Sequence, residues 1–66
     1  MNKAKLKAKM VERNISASEL ANVLSISPST FYRKLNNGEC FTVGEASEIS
    51  KNLNLSSDEL TEIFLS

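Results

Sequence analysis

The chain has 66 residues, 41% of them hydrophobic, with two glycines and one proline. A chain of this length can bury one small core, and this composition favours a folded, helical domain over a disordered segment. It has no histidine and a single cysteine, Cys40, which excludes an intrachain disulfide and leaves the thiol without an imidazole base. We therefore predict a buried, inert Cys40, no enzymatic activity, no metal site and no cofactor.

The net charge is zero, but the charges are separated along the chain. Residues 1–34 carry seven cations and two acids, a net charge of +5, whereas residues 35–66 carry one cation and six acids, a net charge of −5. Such a separation favours one surface that faces a polyanion and an opposite, solvated surface, although it also arises by chance in short chains. No apolar run approaches the roughly 18 residues of a membrane span, so we expect a cytoplasmic protein.

Four helix starts share one local pattern. A hydroxyl residue that can accept hydrogen bonds from the first turn follows an apolar residue, and a second apolar residue stands four positions later. In three of the four, a glutamate three positions after the hydroxyl completes a capping box. The four hydroxyl residues are Ser16, Ser27, Thr42 and Ser56.

In chain order, the pattern predicts helices over residues 3–13, 17–24, 28–36, 43–53 and 57–65. Pro28 suits the first position of the third helix, and Gly38 suits a left-handed stop after it. No stretch alternates with a period of two, so we predict an all-α, compact five-helix domain that fills residues 1–66. The residues predicted to face the core are Leu6, Met10, Val11, Leu20, Ala21, Leu24, Phe31, Leu35, Ala46, Ile49, Leu53, Leu60, Ile63 and Phe64.

The second and third helices are separated only by residues 25–27, which forces a steep crossing and predicts a helix-turn-helix. In that motif the second helix of the pair enters the major groove of DNA. With Phe31 inward, a rotation of 100° per residue places a polar stripe outward: Ser29, Thr30, Tyr32, Arg33 and Asn36. Arg33 can bridge O6 and N7 of a guanine, while Tyr32 fits an ordinary surface position equally well.

Phosphate contacts are expected where cations, hydroxyls or backbone N–H groups surround this helix. The start of the second helix offers capped N–H groups, the first helix offers lysines, and the end of the third helix offers amides. The predicted phosphate-contacting residues are Lys7, Lys9, Ser16, Ala17, Ser18, Lys34, Asn36 and Asn37.

The segments ISASELANVLSISPSTFYRKLNNG and TVGEASEISKNLNLSSDELTEIF together resemble the Cro/repressor (XRE-like) helix-turn-helix family, in particular its short phage and prophage members. The resemblance implies a lambda-repressor-like DNA-binding fold and a transcriptional regulator that binds an operator, usually as a homodimeric repressor. It assigns base contacts to Pro28, Ser29, Thr30 and Arg33, with Tyr32 as a further candidate. The chain departs from the family pattern at Ala17, where glutamine is frequent, and at Ser25, where glycine is frequent.

Two further expectations concern partners. If the chain pairs on double-stranded DNA, the exposed apolar Leu65 on the last helix, with Phe41 or Val43 nearby, could form the interface between two copies. The alternative function is a helix-turn-helix module that binds a protein through its acidic half, as an antirepressor or a complex subunit.

Overall fold

The computed structural model describes residues 1–36 and 41–65. It contains five α-helices: α1 (Lys3–Glu12), α2 (Ala17–Val23), α3 (Pro28–Asn36), α4 (Val43–Leu53) and α5 (Ser57–Phe64). Within the two described ranges no residue lies in a β-strand, which confirms the all-α, five-helix fold. All five predicted starts are confirmed, whereas α1, α2 and α5 end one residue earlier than predicted, because Arg13, Leu24 and Leu65 are C-cap residues.

The predicted capping boxes are present at all three positions. At Ser16, Thr42 and Ser56 the side-chain hydroxyl accepts the N–H of the glutamate three residues later, and that glutamate accepts the N–H of the cap residue. Ser27 begins α3 without a glutamate and accepts the N–H of Thr30 at 3.2 Å. These bonds satisfy N–H groups that would otherwise lack a partner at the helix starts.

Three helices end in the same way. Asn14, Ser25 and Asn54 have φ values of 56°, 59° and 54°, in the left-handed region. The apolar residue that follows each of them donates its N–H to the carbonyl five residues back, at 2.9, 3.0 and 3.0 Å. This is the Schellman pattern, and a serine then begins the next helix. These connections therefore need only three or four residues. Ser25 occupies a left-handed position without the freedom of glycine, at a cost of about 1–2 kcal/mol.

Every helix contributes to one hydrophobic core. The buried residues are Leu6, Met10, Ala17, Leu20, Ala21, Phe31, Leu35, Ile49, Leu53 and Ile63. The residues Leu24, Ala46, Leu60 and Phe64 were predicted to be inward, and they are only partly buried, at the edge of this core. The prediction for Val11 was wrong: its side chain is 81% exposed, because it lies 140° around the helix from Leu6.

Ion pairs connect the basic half of the sequence to the acidic half. Lys5 pairs with Glu62, Lys9 with Glu59, and Lys34 with Glu45. The first two pairs join α1 to α5, and the third joins α3 to α4. The charge separation seen along the sequence is thus partly cancelled in the folded domain, and it does not by itself define a positive and a negative side.

The Lys9–Glu59 pair changes the titration of both groups. The ammonium of Lys9, together with the N–H of Ser56, lowers the pKa of Glu59 from 4.5 to about 2, and the Glu59 carboxylate in turn raises the pKa of Lys9. A carboxyl whose pKa is depressed on folding stabilises the folded state above its unfolded pKa. This stabilisation is therefore complete above about pH 4.5 and is lost as the pH falls towards 2.

Candidate nucleic-acid interface

The two helices of the predicted helix-turn-helix, α2 and α3, pack directly on one another. The inner face of α3 is fixed by Phe31 and Leu35, which are 0% and 2% exposed. The ring of Phe31 also stacks at an angle on Phe41, with 5.4 Å between the ring centroids. Because this face is anchored, the opposite face of α3 is presented to solvent in a fixed orientation.

The outward face of α3 carries the predicted polar stripe. Ser29, Tyr32, Arg33 and Asn36 are exposed, as is Pro28 at the start of the helix. Thr30 is only half-buried to the side, and its hydroxyl lies 2.9 Å from that of Ser27. The stripe is therefore accessible as predicted, with Thr30 at its margin, and base contact by these residues stays a prediction.

An open groove of about 540 Å³ lies beside this stripe, between α1, the start of α2, and α3. It brings together Lys7 of α1, Ser16 and Ala17 at the start of α2, and Tyr32 of α3. The first three were predicted to contact phosphate, and Tyr32 was a further candidate for base contact. The groove places the Tyr32 side chain among the predicted phosphate contacts, next to the exposed face of α3.

Asn14 also lines this groove and was missed in the sequence. It is exposed and adopts the left-handed conformation that ends α1. An asparagine directly before an apolar residue and a capping serine is the available signal, since asparagine tolerates that conformation better than most residues. Its amide adds a hydrogen-bonding group to the groove.

The predicted phosphate-contacting lysines separate into two kinds. Lys7 is exposed and lines the groove. Lys9 is not among the residues of the groove: its ammonium pairs with Glu59 and, at 3.3 Å, with Glu12, and its side chain is only 16% exposed. Lys34 pairs with Glu45 at 3.1 Å. Of the three lysines, the structure brings only Lys7 to the groove, so it gives the predicted phosphate contact of Lys9 no support.

Of the remaining predicted phosphate contacts, some fall on residues that the structure describes and others do not. Ser18 and Asn36 are exposed, and their contacts with phosphate stay predictions. The predictions for Asn37, Gly38 and Cys40 fall outside the described residues.

The two residues predicted for an interface between copies differ in their surroundings. Leu65 is 76% exposed, as predicted. Phe41 is partly buried and packs between Phe31 and Phe64, with a centroid distance of 6.4 Å to the latter. Its ring belongs to the edge of the core, and a contact of Phe41 with a second copy stays a prediction. Val43, 89% exposed, lines with Leu65 an open apolar cleft of about 300 Å³ between α4 and α5.

Comparison with known families agrees with this geometry. The family model of the BetR domain matches residues 3–64, which include all five helices. The chain belongs to the BetR domain family. This is a family of small helix-turn-helix-like DNA-binding domains. No curated protein and no solved structure matches the chain significantly.

The match confirms part of the resemblance read from the sequence. A small DNA-binding domain of the helix-turn-helix type is confirmed, whereas the match is to the BetR domain and gives nothing specific to the Cro/repressor family. In the part of this BetR domain that the structure describes, no helix is both long enough and apolar enough to cross a membrane.

The different placement of Lys7 and Lys9 gives a matched pair of variants. We expect Lys7→Ala to weaken binding to DNA of any sequence, and to flatten the slope of log affinity against log salt by about one unit, because one phosphate contact is lost. We expect Lys9→Ala to leave that slope unchanged and to lower the thermal unfolding midpoint, because it leaves Glu59 without its ammonium. Fluorescence anisotropy with a labelled duplex across a salt series, with a thermal melt of each variant, measures both. A slope that changes in Lys9→Ala and not in Lys7→Ala would contradict this assignment.

Proposed function

We propose that this BetR domain is a sequence-specific transcriptional regulator that inserts α3 into the major groove of an operator. The observation that carries the proposal is the outward face of α3, where hydrogen-bonding side chains stand exposed on a helix whose opposite face is buried. An α-helix fits the major groove, where each base pair presents a distinct pattern of donors and acceptors. The proposed role is binding, without catalysis and without a cofactor, in the cytoplasm.

The side chains of α3 suit different parts of this task. Arg33 supplies a planar, bidentate donor for guanine, and Ser29 is short enough to let the helix approach the base edges. Tyr32, Lys7 and the start of α2 would contact the phosphates on one side of the major groove. Such contacts orient α3 but do not distinguish sequences, so the discrimination would depend on Arg33 and its neighbours on the stripe.

We further propose that two copies bind together, and that the regulator acts as a repressor, as the resemblance to Cro/repressor proteins implies. One α3 covers only a few base pairs, and a two-fold pair would read two half-sites about one helical turn apart. The exposed apolar cleft with Val43 and Leu65 supports such a pairing surface. The same cleft supports the alternative function, a module that binds another protein through α4 and α5.

Selection of bound duplexes from a random pool tests the proposed function. We expect an enriched sequence with two related half-sites whose centres are about 10 base pairs apart. Enrichment of a single short site would support base recognition by one copy. A pool without any enriched sequence would contradict sequence-specific binding and favour the alternative.

The pairing surface has its own test. We expect Leu65→Glu to lower affinity for the full selected site and to remove cooperativity, because it places a charge in the apolar cleft. Thr61→Glu is the matched control: it adds the same charge at an exposed position of α5, four residues before Leu65, and Thr61 does not line the cleft. Binding isotherms for the full site and for a half-site measure both variants. If Leu65→Glu and Thr61→Glu bind the full site equally, the interface lies elsewhere.

A further inference from the structure

The carboxylate of Glu45 links α3, the helix proposed to enter the major groove, to α4. Glu45, in the first turn of α4, accepts a hydrogen bond from the Lys34 ammonium of α3 at 3.1 Å. The same oxygen accepts the N–H of Thr42 at 2.8 Å, which completes the capping box of α4. Glu45 therefore both begins α4 and binds the cation in the last turn of α3.

This pair is more sheltered than an ordinary surface ion pair. The side chains of Lys34 and Glu45 are only 19% and 17% exposed. The Thr42 N–H and the Lys34 ammonium both favour the ionised form and lower the pKa of Glu45. The carboxylate is therefore ionised at neutral pH, and it engages the ammonium of Lys34 in the absence of DNA.

Lys34 lies directly after Arg33 on α3, the helix that we propose enters the major groove of DNA. Its direction is about 100° around the helix from that of Arg33, on the flank of α3 next to the start of α4. With α3 in the major groove, the flanks of this helix would face the DNA backbones. An ammonium can bind a carboxylate oxygen or a phosphate oxygen, and it gains the second only by leaving or sharing the first. The Glu45 carboxylate places a negative charge on the same flank.

We propose that Glu45 competes with DNA phosphate for the Lys34 ammonium and so limits the affinity of the domain for DNA of any sequence. The proposal rests on the proposed function. Because phosphate contacts carry no sequence information, the competition weakens binding to random DNA without removing a base contact. Glu45 thereby sets the strength of the sequence-independent part of binding, while the exposed stripe of α3 sets the preference.

The variant Glu45→Gln tests the competition with little disturbance of the fold, because glutamine also serves in a capping box. We expect it to release Lys34 to a phosphate and to make the slope of log affinity against log salt steeper by about 0.9. The gain in affinity should therefore grow about eightfold for each tenfold decrease in salt. The probe is a labelled duplex of mixed sequence, titrated at several salt concentrations.

Glu59→Gln is the matched control. Glu59 occupies the same position in the capping box of α5 and also pairs with a lysine, so the substitution changes the net charge by the same amount. Its partner Lys9 lies on α1 and not on α3, the helix proposed to enter the major groove, so we expect no steeper slope. Equal gains in Glu45→Gln and Glu59→Gln would show a general effect of net charge and would overturn the proposal.

The double variant Lys34→Met/Glu45→Gln completes the design. It has the net charge of the parent but no ammonium to release, so we expect the salt slope to return to the parent value. A slope that stays steep in the double variant would overturn the proposal, as would a parent-like slope in Glu45→Gln alone. If the parent protein binds DNA but Glu45→Gln does not change the salt slope, the proposed function stands and this inference fails. If the parent binds no DNA at any salt concentration, both fall.

Discussion

Phe31→Ala is expected to remove most of the stability of the domain. Phe31 is fully buried, and it contacts the rings of both Tyr32 and Phe41. Truncation of a buried phenylalanine costs about 3–5 kcal/mol, because the lost burial leaves a cavity that the surrounding helices fill only partly. At about 0.05–0.15 kcal/mol per residue, a domain of this size has a free energy of unfolding of about 3–10 kcal/mol. Urea unfolding followed by circular dichroism at 222 nm measures the loss.

Two other variants make this result specific. Tyr32→Ala removes the neighbouring aromatic ring on the same helix, but Tyr32 is 51% exposed, and we expect a loss of only about 1 kcal/mol. Phe31→Leu keeps an apolar side chain in the core and should remain folded with an intermediate stability. A Phe31→Ala domain that unfolds at the same urea concentration as Tyr32→Ala would contradict the central position of this ring in the core.

Arg33→Ala is expected to remove most of the preference for the selected operator while it leaves much of the affinity for random DNA. A bidentate contact between arginine and guanine contributes about 1–3 kcal/mol of discrimination, which corresponds to a factor of about 5 to 150 between the two kinds of DNA. The affinity for random DNA comes mainly from phosphate contacts elsewhere. Competition titrations with the selected operator and with a scrambled duplex give the ratio directly.

The conservative variant Arg33→Lys separates geometry from charge. Lysine keeps the positive charge but lacks the planar fork that spans two acceptors of one base. We therefore expect Arg33→Lys to keep the salt slope of the parent and still to lose preference for the operator. An equal loss of affinity on both duplexes in Arg33→Ala, with full recovery in Arg33→Lys, would show instead that Arg33 contacts phosphate.

The helices could be predicted from the sequence because their starts depend on local chemistry. The hydroxyl and glutamate of a capping box lie three residues apart, so Ser16, Thr42 and Ser56 identify helix starts without knowledge of the fold. The predicted ends of α1, α2 and α5 were one residue too late, because a C-cap residue is only partly helical. Ser25 stands where the Cro/repressor family often has glycine, and the structure shows the left-handed backbone that favours glycine there.

The environment of individual side chains could not be predicted in the same way. Leu24 and Phe64 were predicted to face the core, yet only the packing of the other helices shows that they reach its edge and not its centre. The exposed face of α3 followed from the position of a single residue, Phe31, because helical geometry fixes the rest.

The ion pairs show a second limit of the sequence. Counted along the chain, Lys9 and Lys34 belong to a basic half that suggested contacts with a polyanion. In the fold, their partners Glu59 and Glu45 come from the acidic half. The packing of α5 on α1 brings Glu59 to Lys9, and the start of α4 lies next to the last turn of α3, which brings Glu45 to Lys34. Pairs that join residues distant in sequence are set by tertiary structure, so charge counts could not separate Lys7 from Lys9.

Mapping of amide chemical shifts tests the central claim most directly. The ¹⁵N-labelled domain would be titrated with a duplex of mixed sequence at low salt, and the shift of each backbone amide would be followed. We expect the largest changes at Ser29, Tyr32 and Arg33 of α3 and at Lys7 and Ser16 beside the groove, with little change in α5. Changes confined to the cleft between α4 and α5, or no change at all, would contradict the claim that α3 is the surface that binds DNA.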